Sequence, residues 1–268
     1  MMTLNASRAV SPTVLHGLVG AWCPSLGPSG YALLDRSGRG RHGALTNMDA
    51  ASDWVGAPGG WALDLDGSND YVVLDSQGGL MSNPLTLSGW LSTTTTNNRQ
   101  AVVFSSVVAG NGSNWAVTVN FSNAGKLNFW QRATGPFLNS TVAVNTGEWV
   151  HWAVTREPNG LTSHMYINGR LDASGTFGFL PQTNGPQITA IGRAGGFSGY
   201  YMPQQCADLG VWHRTLTGAE VVALYRAGQG GLGRLLTQRR RRVYGIAATA
   251  VKPYLFLHRG QVIGGGIR

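Results

Sequence analysis

Between Tyr71 and Arg214 the chain is a succession of short runs rich in β-branched and aromatic residues, each closed off by Gly, Asn, Pro or Ser. The runs are YVVL (71–74), LTLSGWLST (85–93), AVVFSSVV (101–108), WAVTVNF (115–121), KLNFWQR (126–132), EWVHWAVTR (148–156), SHMYING (163–169), ITAIGR (188–193) and ADLGVWHR (207–214). Such side chains favour pleated, half-buried surfaces, and the residues between them favour turns. In EWVHWAVTR, Trp149, His151 and Ala153 share one face while Val150, Trp152 and Val154 share the other, because side chains alternate along a strand. A strand apolar on both faces belongs to a sheet packed on one side and covered, or occupied, on the other. Asn168-Gly169 after SHMYI has the chemistry of a type I′ hairpin turn, since both residues tolerate positive φ. One helix stands out: TGAEVVALYRAG has Thr217 three residues before Glu220, a capping box, and stops at Gly228. Val221, Leu224 and Tyr225 form its apolar stripe. Nine strands and one short terminal helix predict an all-β fold, a two-sheet antiparallel sandwich, rather than α/β.

Glycine is abundant, 39 of 268 residues, and two stretches spell G-x-G-x-x-G. A dinucleotide site needs a strand before such glycines and a helix after them. Gly38, Gly40 and Gly43 follow YALLD, a candidate strand, but lead into ALTNMDAASDWVGAPGG, which has turn breaks and no helical apolar period. The second match, within Gly228 to Gly233, follows the helix and precedes none that the pattern predicts. Both read as turns.

Charge is unevenly placed. Residues 1–228 hold twelve basic and twelve acidic residues, whereas 229–268 hold eight basic and no acidic ones, including Arg239, Arg240, Arg241 and Arg242. The segment carries no nucleic-acid reader motif, so nucleic acid is not the expected partner; an acidic protein surface is. No apolar run is long enough to span a bilayer, and MMTLNASRAVSPTVLHG lacks the pattern of a secretory signal. Cys23 and Cys206 are the two cysteines, too few for a disulfide framework, and two buried free thiols are the default in a reducing compartment.

Several stretches taken together resemble the LamG-like branch of the concanavalin A-like lectin/glucanase superfamily, a jelly roll of two antiparallel sheets. They are GLVGAW (17–22), DRSGRGRHG (35–43), LDLDGSNDYVVL (63–74), LTLSGWL (85–91), GEWVHWAVTR (147–156), MYINGR (165–170) and ADLGVWHRTLTGAEVVALY (207–225). The resemblance covers residues 17–228, leaving 1–16 as an N-terminal extension and 229–268 as a basic C-terminal arm. It implies that first and last strands pair, bringing GAWC beside QQCADLGVW and Cys23 near Cys206, bonded or not. It makes DRSGRGRHG an early turn of the fold, with Asp35 and Asp208 each tying a loop to the sandwich.

The superfamily includes glycosidases, which need two carboxylates flanking the scissile bond. The E-x-D-x-x-E strand of its glucanases is missing here. The only glutamates are Glu148, Glu157 and Glu220, in a strand start, a strand end and a helix cap, and Asp64 and Asp66 read as structural. No enzyme is expected. Many relatives hold calcium, and Asp66, Asn69 and Asp70 in DGSND offer oxygens for one; the same residues also suit Asx turns that cap backbone N–H groups. Trp115, Trp130 and Trp152 are candidate sugar platforms or core residues.

The arm is too apolar for a solvated tail and too short for a core of its own. Lectin-like jelly rolls with no signal and such an arm resemble accessory proteins of tailed-bacteriophage particles. The expectation is a non-catalytic virion component, a capsid decoration or fibre protein made in the host cytoplasm. Its sandwich would face host glycans, and Arg239 to Arg242 would anchor it to virion proteins or copies of itself, without membrane insertion. The alternatives are a free bacterial lectin, cytoplasmic or released non-classically, and a glycoside hydrolase.

Overall fold

Two antiparallel sheets face one another in the computed structural model, which describes residues 12–75, 80, 83–96, 101–108, 112–120, 125–131, 137–178, 180, 187–194 and 200–237. In chain order the strands are β1 (Leu18–Trp22), β2 (Ala32–Leu33), β3 (Gly43–Thr46), β4 (Trp54–Ala57), β5 (Gly60–Asp66), β6 (Tyr71–Asp75), β7 (Leu85–Ser92) and β8 (Ala101–Val108). Then come β9 (Gly112–Val119), β10 (Lys126–Trp130), β11 (Phe137–Ala143), β12 (Val150–Arg156), β13 (Thr162–Ile167), β14 (Arg170–Thr176), β15 (Gln187–Ile191) and β16 (Pro203–Trp212), followed by helix α1 (Gly218–Ala227). Sheet I runs β14-β13-β12-β7-β16-β5-β4, with β1 also paired to β16; sheet II runs β11-β10-β9-β8-β15-β6-β3-β2. First and last strands therefore pair, Leu18 opposite Trp212 and Trp22 opposite Leu209.

Alternation builds the core. Leu63, Leu65, Leu87, Leu91 and Trp152 of sheet I meet Val72, Phe104, Trp115, Val117 and Phe129 of sheet II, all essentially solvent-free. Phe104 stands edge-on to both Trp22 and Trp115, ring centres 6.2 and 5.0 Å away. Each such side chain contributes about 1.5–3 kcal/mol by leaving water. At the hairpin after β13, Asn168 and Gly169 take φ of 50° and 75°, as a type I′ turn requires.

The outer face of sheet I is also apolar and is covered. Val14, Leu15, Trp212, Val221, Leu224 and Leu232 form a second cluster there with Ala153 of β12. This explains the two-sided apolar pattern of β12, whose every residue is buried. Helix α1 is capped as expected: Glu220 N–H donates to Thr217 Oγ1 and Thr217 N–H to Glu220 Oε2, at 3.3 and 3.0 Å. Arg214 adds a bidentate pair to the same carboxylate at 2.6 and 2.8 Å.

Three expectations change. Strands β3, β4, β5, β11 and β14 join those read from the sequence, and β2 falls within the candidate strand YALLD; the added strands are short, Gly-containing or polar segments such as RLDASGT (170–176). A second short helix at 231–237 follows the glycine run that was read as a plain turn. Those glycines serve close packing: a Cβ on Gly59 would lie 2.3 Å from the Gln229 carbonyl, and one on Gly230 2.4 Å from the Gly59 oxygen. Finally, the compact unit runs to Leu236. It takes in residues 12–16 and 229–236, which the sequence had assigned to the extension and the arm, because Val14, Leu15, Leu232 and Leu236 are buried in the second cluster. Arg239 to Arg242 lie outside the described residues.

Candidate functional site

The carboxylates come first, since they decide whether acid–base chemistry has a place. Asp35, 4 % exposed, accepts from Ala21 N–H, Ser37 N–H, Ser37 Oγ and Arg41 N–H at 2.8–3.0 Å. It holds the DRSGRGRHG turn against β1, with Gly38 and Gly40 at φ of 89° and 72°. Asp208 accepts from Ser25 Oγ and Gly233 N–H, and burial raises its pKa. Both tie loops to the sandwich, as the resemblance implied. Glu220 belongs to the cap. Asp64 and Asp66 share the outer side of β5, where Asp64 is pushed up mainly by burial.

The DGSND turn is built from amide donors. Asp66 Oδ1 accepts from the N–H of Ser68, Asn69 and Asp70 at 2.7, 3.2 and 3.4 Å, and Asp70 Oδ2 accepts from Asp66 N–H at 3.1 Å. Burial pushes Asp66 up, but these bonds together outweigh it and hold the carboxyl below its usual range. Asp70 is raised, first by burial and further by the Asp66 charge. Calcium needs about six to eight oxygens converging on one point, whereas here N–H groups point at the carboxylates. Asp66, Asn69 and Asp70 thus fit the Asx turn and not the ion. Among the described residues no group of three or more His, Cys, Asp or Glu is placed to hold a metal.

Under α1 lies a pair that the sequence did not reveal. Ser88 Oγ is 3.0 Å from His151 Nε2, a spacing that suits a nucleophile and its base. The cavity beside them, bounded by Trp90, Asp208, Trp212, Leu224 and Leu232, holds about 10 Å³. That is room for one water and no substrate. Burial lowers the His151 pKa to about 3, so the ring is neutral. Both cysteines are free and buried. Cys23 packs in the outer cluster of sheet I and Cys206 in the core between the sheets, and burial raises both thiols, Cys206 to about 12.

The outer face of sheet II has a different character. Register lines up Trp130 with Ala116, Ala116 with Ser105, Ser105 with Ala190, Ala190 with Val73 and Val73 with Ala44. These are the residues that alternate with the core set, so small side chains floor this face. Beside them runs a polar row. Asn139 pairs with Asn128 and Asn128 with Thr118, the two amides joined at 2.7 Å. Thr118 is solvent-free, yet its hydroxyl has no hydrogen-bond partner. Toward the far end, Tyr71 lies under the Arg193 guanidinium, 3.8 Å from ring centre to Cζ, with Tyr201 at 6.1 Å. Ser105 Oγ donates to the Arg193 carbonyl at 3.0 Å. From β10 to β6 the face spans four strand spacings, about 19 Å. Trp130, Tyr71, Arg193 and Tyr201 are half-buried around a buried floor.

Of the three tryptophans singled out in the sequence, Trp115 and Trp152 are core, at 0 % exposure, and Trp130 alone faces outward. Tyr71, Arg193, Ser105 and Thr118 were not singled out. For Ser105 and Thr118 the signal was the alternation within AVVFSSVV and WAVTVNF, but which polar residues line up across strands depends on register.

Comparison with known proteins agrees with this architecture. The sequence model of the concanavalin A-like lectin/glucanases superfamily matches residues 66–222. No curated protein matches the chain. Among solved structures, domain 4 of an extracellular arabinanase from Geobacillus stearothermophilus, in complex with arabinotriose, is similar over 78% of this chain and 98% of its own, at 20% identity and TM-score 0.59. The binding domain of botulinum neurotoxin serotype D is similar over 81% of this chain and 53% of its own (15% identity, TM-score 0.58). Trypanosoma rangeli sialidase in complex with sialic acid is similar over 81% of this chain but 33% of its own (14% identity, TM-score 0.60). At these identities the likeness is one of fold. With more than half of its length inside the family match, the chain belongs to the concanavalin A-like lectin/glucanases superfamily.

Proposed function

We propose that this protein is a non-catalytic carbohydrate-binding component of a virus particle, working without a bound metal. One observation carries the binding reading. The outer face of sheet II carries half-buried rings at both ends, Trp130 at one and Tyr71 with Tyr201 at the other, with the half-buried polar side chains of Asn139 and Arg193 beside them; Ser105, Thr118 and Asn128 between them are solvent-free. Sugars present apolar C–H faces to aromatic rings and hydroxyls to such polar groups. Sheet I offers no counterpart, since its outer face is filled by the apolar cluster under α1. The domain in complex with arabinotriose adds a precedent for sugar contact on this fold. The non-catalytic reading is supported by the carboxylates: Asp35, Asp66, Asp208 and Glu220 are engaged by backbone amides, hydroxyls or Arg214. Placement on a virion rests on the arm beyond the compact unit, residues 237–268, with seven basic and no acidic residues.

A glycan array with the full chain tests the binding. A bound glycan whose affinity falls about tenfold or more in Trp130→Ala, equivalent to about 1.4 kcal/mol, supports the reading; binding to no glycan overturns it. Mass spectrometry of purified particles tests the location, and absence from particles would leave a free lectin.

A further inference from the structure

Arg193 is a cation whose companions are aromatic and neutral. Its guanidinium carbon lies over the Tyr71 ring, 3.8 Å from the ring centre, and its backbone is bridged to Tyr201 and hydrogen-bonded from Ser105. Among the described residues it pairs with no carboxylate, and its Nε is buried without a hydrogen-bond partner. A guanidinium stacked on a ring presents its N–H edge sideways, and that edge matches a planar carboxylate through two parallel bonds. The buried Nε is out of a ligand's reach, so the terminal Nη groups of this half-buried side chain are the ones that would meet a carboxylate.

We infer that Arg193 is the specificity residue of the sheet II face and selects glycans bearing a carboxylate, uronic acids being the simplest class. The inference rests on the glycan-binding reading above and names its ligand class. Tyr71 packs against the guanidinium and Ser105 Oγ holds the Arg193 carbonyl. The sugar ring carrying the carboxylate then sits at the Tyr71–Tyr201 end. Among the described residues no carboxylate is in ion-pair range of Arg193, and Asp70, next to Tyr71 in the chain, is engaged with Asp66 within the DGSND turn.

The test uses the full chain with matched arrays of uronate-bearing oligosaccharides, their methyl esters and their carboxyl-reduced counterparts. The three sets differ only in the charge and oxidation state of one group. Wild-type protein should prefer an acid over its ester by about tenfold or more, the order of a charge-assisted bidentate pair. Arg193→Gln should abolish that preference, lowering acid binding far more than ester binding; Arg193→Lys should restore part of it. Arg239→Gln through Arg242→Gln together should not alter the preference, which separates the site from general attraction to the basic arm. Equal binding of acid and ester, or an Arg193→Gln effect equal on both, overturns the inference and leaves the glycan-binding reading standing. If no glycan binds in any set, both fall.

Discussion

His151 lies under helix α1 with 1 % of its surface exposed, its Nε2 on Ser88 and its ring edge-on to Trp90. Burial depresses its pKa to about 3 in the folded chain, against about 6.5 when unfolded. Between those values the unfolded chain holds a proton that the folded chain lacks, so stability falls as pH drops from about 6.5 toward 3 and is fully present above 6.5. The loss amounts to about 2 kcal/mol at pH 5 relative to pH 8. Asp208, raised by burial, acts in the opposite sense, and His213, lowered by burial and then by Arg41 and Arg39, in the same sense. The measurement is therefore a difference: the chemical-denaturation stability of wild type minus that of His151→Gln, from pH 8 to 5. A difference that narrows by about 2 kcal/mol toward acid is expected; parallel curves would show that His151 is not held neutral. That His151 faces away from Trp152 was legible from alternation within one strand. That it faces Ser88 was not, because the partner stands 63 residues away and the meeting is made by the pairing of β7 with β12.

Elements whose signals are local were the legible ones. The Asn168-Gly169 hairpin and the Thr217–Glu220 cap need only neighbours along the chain, and both stand where the residues put them. The helix at 231–237 was hidden because its glycines answer to close packing rather than to helix propensity: a Cβ on Gly233 would lie 3.0 Å from Ser25 and Leu26, and one on Gly230, just before the helix, 2.4 Å from the Gly59 oxygen. Gly59, between β4 and β5, meets the Gln229 backbone so closely that a methyl group has no room, and Gln229 Oε1 accepts from Gly59 N–H at 3.0 Å. Gly59→Ala should cost about 1–3 kcal/mol, the usual range for overpacking. Gly56→Ala in the same hairpin, where nothing lies within 4 Å, should leave the melting temperature nearly unchanged. Equal shifts in the two variants would show that the turn at 228–230 does not lean on the hairpin. The same dependence on pairing hid the sheet II face: Ser105 and Thr118 are ordinary strand residues until β8 and β9 are set side by side.

At the scale of the whole molecule, the sandwich was readable in outline because its two-sided apolar strands demanded two layers and a cover. Its limits were not, since charge and composition change at the arm while packing continues through Leu236. A chain cut after Thr237 should melt as the full chain does. One cut after Gly233 loses Leu235 and Leu236 and should be less stable by about 2–5 kcal/mol, the range for emptying one buried leucine site, as thermal denaturation would read. Identical melting of the two would mean that the last turn of helix is dispensable. The pairing of β1 with β16 also has a mechanical side. The Val14 carbonyl takes the Trp212 indole N–H at 2.7 Å, and Leu15 and Leu236 share one cluster, so both ends of the sandwich leave from a single pole behind sheet I. A tug on anything held at the outer face of sheet II passes across the layers to that pole without drawing the strands lengthwise. Pulling the two ends away from each other does the opposite: it opens the ladder from Leu18 and Trp212 inward, rung by rung, like a zipper.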